Sequence, residues 1–338
     1  MQAASLISEH LGPISDALVL LNTRKVHPVY FPYALAPTLH AARVSTIFQA
    51  NTRRSPAALS WGTYITGYLI MCWGGGLASS LFLGLPPPML YSFNPALNYL
   101  TVHLVLTALF SVAPGLLNPK LLDTLLFPLD ALLRTNAVTM TLGLLYAPSV
   151  HAEYKDSPLI HMIIGAIASA GGGFAAGTLN LWSSAWTFGT PPPLKSGAGW
   201  AGTLDVWGGA LVGKSISAVR EHLHLIRCSI AAIYSLATGH PAFRSFVTYV
   251  SIFISSFSPS YKPNADSDIP PLATLEAKSL AAAVLTILFA ARVAKTHWLP
   301  SSSSSRPSTA KTVRKIQPSS TSTAAAAATP KKPKKKTQ

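Results

Sequence analysis

Charge is what this sequence has least of. Asp, Glu, Lys and Arg together make up 11% of its 338 residues, whereas a soluble globular domain carries roughly 25%. None of the four occurs from Ser55 through Pro119, and none from Ser157 through Leu194. Each window has room for at least one membrane span of about 20 residues, and a water-soluble core rarely excludes charge for so long. Cysteine is equally scarce: Cys72 and Cys228 are the only two, which excludes a disulfide framework and a thiolate metal cluster. Phosphate-binding loops, nucleophile elbows and paired catalytic carboxylates are all missing, so an enzyme is not expected. Glu221, His222 and His224 stand close together, but a helical zinc site needs histidines four apart on one face. No metal is expected either.

What the chain has instead is apolar length, with 49% hydrophobic residues and a mean hydropathy of +0.36. Apolar runs bounded by Pro, Gly and charge predict an all-α membrane protein of seven transmembrane helices, at 29–48, 57–83, 94–114, 121–146, 158–182, 199–219 and 272–297. The first, interrupted by Pro37, His40 and Arg43, and the fourth, carrying Asp130 and Arg134, are the least hydrophobic. Residues 1–28 form an N-terminal segment without the charged-then-apolar pattern of a cleaved signal, because Glu9 and Asp16 precede Arg24 and Lys25. The stretch 220–271 is apolar but punctuated by Arg220, Arg227 and Arg244, and reads as an amphipathic insert. Basic residues follow the first span (Arg43, Arg53, Arg54), the third (Lys120) and the fifth (Lys195), and none follows the second. The positive-inside rule therefore predicts a luminal N-terminus and a cytosolic C-terminus, with the basic insert as the discordant item.

The net charge of +15 is mostly a tail property. Ser301 to Gln338 holds nine Lys or Arg and no acid, leaving 17 basic against 11 acidic residues before it. Residues 298–338, rich in Ser, Thr, Ala, Pro and Lys, cannot bury enough apolar surface to fold and are predicted to be a disordered cytosolic tail. The last four residues, Lys335, Lys336, Thr337 and Gln338, resemble the dilysine retrieval signal of endoplasmic reticulum membrane proteins. The alternative is a polybasic strip attracted to anionic lipid at about 1 kcal/mol per residue.

Two glycine triplets, Gly74, Gly75, Gly76 and Gly171, Gly172, Gly173, interrupt the second and fifth apolar runs. Each glycine weakens a helix by about 1 kcal/mol relative to alanine. In a membrane that is tolerated where helices approach closely or where a helix breaks beside a cavity. If spans one to three and four to six are two halves, the triplets fall in matching middle spans and the odd span number inverts the second half. Paired glycine interruptions in such inverted repeats point to a permeation or binding site. The six glycines are therefore the candidate pore or helix-kink residues. Asp130 and Arg134, four apart on one helical face, are either a gating pair or an intrahelical stabilising pair. Asp205 and Lys214 form a second intramembrane set, out of phase on their helix.

These residues carry a resemblance. "FPY" at 31–33, "RRSPAALSW" at 53–61, "GGGLASSLFLGLPPP" at 74–88 and, more weakly, "GAIASAGGGFAAGTLNLWSSAW" at 165–186 resemble the trimeric intracellular cation (TRIC) channel family in order and spacing. The resemblance covers about residues 29–219 and the last span. It implies a homotrimer of seven-helix subunits in the sarcoplasmic or endoplasmic reticulum or the nuclear membrane. Each subunit would be an inverted pair of three-helix repeats with its own pore, passing K+ as counter-ion current during calcium release. Where the family carries a Lys-Glu-Val stretch and further basic residues that hold a phosphoinositide, this chain reads Leu129, Asp130, Ala131 with Arg134 nearby. Any phosphoinositide or other anionic lipid contact is thereby reduced to Arg134. The family lysine before the fifth-helix glycines is Ala168 here, and losing a cation lowers the barrier to permeating cations. A secondary transporter on the same inverted repeat and a non-conducting membrane scaffold are the alternative functions.

Overall fold

A computed structural model of the protein describes residues 2–55, 58–221 and 273–299. Eight α-helices run through them: α1 Gln2–Thr23, α2 Leu35–Thr52, α3 Trp61–Phe82, α4 Asn94–Val112, α5 Pro119–Gly143, α6 Pro158–Leu179, α7 Gly199–Glu221 and α8 Ala273–Val293, which continues as a π-turn Ala294–Trp298. Helix starts follow side-chain chemistry. Ser60, Asn118 and Ser157 accept a hydrogen bond from the backbone N–H of Thr63, Leu121 and Ile160, and Pro119 and Pro158 begin α5 and α6. Asn180 ends α6 in the left-handed conformation, at φ 51°.

Four helical stretches, Trp61–Phe82, Asn94–Val112, Pro158–Leu179 and Ala277–Trp298, are long and apolar enough to cross a membrane, the mark of a multi-pass membrane protein. Helix α4 shows the solvent it is built for. Leu97, Leu104, Val105, Leu109 and Val112 face outward while Asn98, Tyr99 and His103 are buried. A water-soluble helix would reverse that arrangement, whereas in lipid the apolar residues face out and the polar ones pair inside.

The first span expected at 29–48 begins differently. A two-stranded antiparallel ribbon, β1 Lys25–His27 and β2 Phe31–Ala34, occupies its start, so "FPY" is strand and not helix. The cause is local: His27 Nδ1 accepts from the backbone N–H of both Val29 and Tyr30, closing the turn. Pro32, with no N–H to give, is tolerated in so short a ribbon, and α2 begins only at Leu35.

The N-terminal segment, for which no element was expected, is the helix α1. Leu11, Ile14, Leu18 and Leu21 fall on one face and pack with Leu132, Leu133 and Ala282 of α5 and α8. Ser15 bonds Ser279 of α8 at 2.6 Å, and Asn22 bonds Asn136 of α5 at 2.8 Å. Of the insert 220–271 only the end of α7 is described. The rest of it and the tail from residue 300, with Lys335 and Lys336, lie outside the described residues; the tail's first residue, Trp298, is instead the end of the π-turn.

Around these contacts α6 packs mainly against α7 and α3, α5 against α8 and α6, and α2 against α4, with α3 and α5 also touching α2.

Candidate functional site

The helix-break reading of the glycine triplets gives way to a close approach. Helical structure continues through both triplets, and the glycines instead let α3 and α6 touch backbone to backbone. A Cβ at Gly75 would sit 2.8 Å from the Ile167 carbonyl oxygen and 2.9 Å from that of Ala168. At Gly74 it would sit 3.1 Å from the Gly171 oxygen and the Gly172 Cα. From the other side, a Cβ at Gly171 would lie 2.9 Å from the Gly75 nitrogen, and one at Gly172 would collide with the Met71 carbonyl.

The contact is reciprocal. Gly75 meets Ala168 as Gly172 meets Met71, and Ala168 stands to Gly171 as Met71 stands to Gly74. The remaining members differ: Gly76 faces only the flexible end of Met89, and Gly173 faces open space. A second seam, not expected from the sequence, joins α6 to α7, where Cβ atoms at Gly165, Gly209 and Gly213 would meet backbone of the facing helix. Gly209 and Gly213 are four apart, the small-residue spacing of close helix pairs in lipid.

Asp130 and Arg134 do not form an isolated pair. They belong to a network of three arginines and three aspartates drawn from four helices. Arg43 Nη2 of α2 lies 2.7 Å from Asp123 and 3.6 Å from Asp130, both on α5. Arg292 of α8 lies 3.8 Å from Asp130 and 2.7 Å from Asp205 of α7. Arg134 reaches Asp205 at 3.3 Å and Asp130 at 4.0 Å. The i,i+4 contact legible in the sequence is therefore the longest of the six, and the short ones bridge helices. Asp205, read from the sequence as out of phase with Lys214, pairs with Arg292 and Arg134; the Lys214 side chain lies outside the described residues.

Further groups hold the network in place. Arg134 donates through Nη1 to the Ser169 carbonyl of α6, and the Phe289 ring lies 4.4 Å from the Arg292 guanidinium and 5.3 Å from that of Arg134. At the outer edge, His297 Nε2 lies 3.0 Å from Asp123. Among the described residues the six formal charges cancel, and burying any one of them unpaired would cost several kcal/mol. Asp130 sits among three arginines at 3.6 to 4.0 Å, a Coulombic contact longer than a hydrogen bond.

Sequence reading missed Arg43, Asp123 and Arg292 as partners: Arg43 was read as an interruption of an apolar run, and the other two were not singled out. It also missed a polar seam between α2, α3 and α4. There the His103 ring stacks on Tyr68 at 3.8 Å and on Tyr64 at 4.8 Å, with Ser45 Oγ 2.8 Å from His103 Nδ1. Tyr68 donates to the Ala41 or Tyr99 carbonyl. Among the described residues no group of three or more His, Cys, Asp or Glu is placed to hold a metal ion. Comparison with protein-family models, with curated proteins and with solved structures finds no match to the chain.

Two stability predictions follow from the geometry. Gly172→Ala and Gly75→Ala should each lower the thermal unfolding midpoint of the detergent-purified protein, at a cost of about 1–3 kcal/mol from overpacking. Gly173→Ala should be neutral or stabilising by up to about 1 kcal/mol; equal effects at all three positions would contradict the seam. Asp130→Asn, which leaves three arginines against two aspartates, should cost about 3–5 kcal/mol. Asp123→Asn should cost less, because that side chain is 30% exposed; the same melting experiment reads both.

Proposed function

We propose that the chain is a monovalent-cation channel of an intracellular membrane, of the trimeric intracellular cation type, passing K+ as counter-ion when calcium is released. On this reading α2 to α4 and α5 to α7 are the two halves of an inverted repeat, α8 is the seventh span, and α1 is an additional helix. The observation that carries the reading is the reciprocal seam of Gly74 and Gly75 with Gly171 and Gly172. Equivalent helices of two inverted halves meet at equivalent residues only beside a pseudo-two-fold axis, and substrate and ion sites of inverted-repeat membrane proteins lie at that interface. The cation pathway would run along α3 and α6 next to this seam, with the glycines setting how closely the two helices pack.

The charge layout fits the orientation expected from the basic loops. Lys120 lies over the Trp298 ring at 3.9 Å and Lys295 over the Trp200 ring at 5.0 Å, so the starts of α5 and α7 and the end of α8 share a belt of the kind found at membrane interfaces. Arg53 donates to the Phe110 and Pro114 carbonyls at the end of α4, which places another cation among the same group of ends. We assign this side to the cytosol, together with the basic tail, whose Lys335 and Lys336 would retain the protein in the endoplasmic reticulum or nuclear membrane. A homotrimer and a phosphoinositide or other anionic lipid held near Arg134 belong to the same proposal.

A secondary transporter is the second reading, and the six-charge network favours it, because intramembrane carboxylates and arginines often form coupling-ion relays. Single-channel recording of purified protein in planar bilayers under asymmetric KCl separates the two. Discrete openings that reverse near the K+ Nernst potential are expected. A silent bilayer with inserted protein, together with saturable coupled uptake in vesicles, would replace the channel by the transporter.

A further inference from the structure

The end of α8 is tied to the start of α5 by three contacts that conduction does not call for. His297 Nε2 meets Asp123 Oδ2 at 3.0 Å, Trp298 Nε1 donates to Thr124 Oγ1 at 3.1 Å, and Lys120 covers the Trp298 ring. Asp123 is shared, since its other oxygen takes Arg43 at 2.7 Å. All three α5 residues, Lys120, Asp123 and Thr124, precede Pro128, a buried proline inside the helix. That proline removes the backbone hydrogen bond to the Thr124 carbonyl and separates the outer turns of α5 from Asp130 and Arg134. On the other partner, His297 and Trp298 lie in the π-turn Ala294–Trp298, a form of helix often found at functional sites.

We propose that these two ends form a proton-operated latch: protonated His297 and Arg43 grip Asp123 together, and Pro128 is the hinge on which the outer turns of α5 move when the His297 proton leaves to solvent. The charged groups facing His297 are Asp123 and Lys120 from α5 and, through Asp123, Arg43 from α2. Arg292 and Lys295 lie on its own helix and are engaged by Asp205 and Trp200 of α7. With the imidazole charged, Asp123 holds two cations; with it neutral, the ion pair is lost and only the hydrogen bond to the carboxylate remains. The latch therefore tightens when the imidazole takes up a proton and loosens when it gives it up. The latch is independent of ion conduction and of the direction in which the chain crosses the membrane.

Spin labels on Leu121→Cys and Leu299→Cys, both at exposed positions, test it in the full chain in nanodiscs, with Cys72→Ala and Cys228→Ala removing the native thiols. Electron–electron distance measurement should give one narrow distribution at pH 5.5 and a broader, longer one at pH 8. His297→Gln, which keeps a donor but cannot take up the proton, should give the same distribution at both pH values. Asp123→Asn should be broad at both, and Pro128→Ala should shrink the pH-dependent displacement. A wild-type distribution unchanged by pH, or a pH response that survives in His297→Gln, would overturn the latch.

Discussion

A buried charge needs a partner, so the three arginines and three aspartates between α2, α5, α7 and α8 must satisfy one another. That constraint orders the rest. Asp130 and Asp205 can be neutralised only if Arg292 of α8 arrives between α5 and α7, and Arg43 reaches Asp123 only if α2 lies along α5. Such a network adds little net stability compared with well-packed apolar side chains, yet losing one member strands a buried charge. Its value is as a register, since helices that slide or rotate lose their partners.

Glycine does the complementary work on the other side of α5. Helix α6 is held between α3 and α7 by two seams at which side chains would not fit, and the Ser169 carbonyl links it to Arg134. Without a hydrophobic drive between helices in lipid, close backbone packing and buried polar contacts take that role. The stacked His103, Tyr64 and Tyr68 do the same for α2, α3 and α4. The polar interior and apolar exterior of α4 are thus one answer to one solvent.

Much of the helix layout was legible in the sequence, because charge-free apolar runs and the Ser, Asn and Pro caps before α3, α5 and α6 act locally. The ribbon before α2 escaped, since it depends on the His27 side chain closing a turn, a contact that no apolar pattern encodes. Helix α1 could have been found from Leu11, Ile14, Leu18 and Leu21 at helical spacing, a signal overlooked because the segment was weighed only as a cleaved signal and set aside. The site was half legible. Asp130 and Arg134 stood out as charges in an apolar run, but their closer contacts are with Arg43, Arg292, Asp205 and Ser169 on other helices, and sequence spacing finds only neighbours on one helix. The glycine triplets were found, while their role as a contact needed the facing helix.

The claim on which the account rests most is that the buried charges form one balanced set, and a double-mutant cycle on Asp205 and Arg292 tests it directly. Each single variant, Asp205→Asn and Arg292→Gln, leaves an unmatched charge, whereas the double variant restores neutrality. The account predicts a double variant at least as stable as the worse single one, with a coupling energy above about 1 kcal/mol by thermal or denaturant unfolding. Additive losses would contradict it, because two independent side chains would then be doing what the structure assigns to a pair.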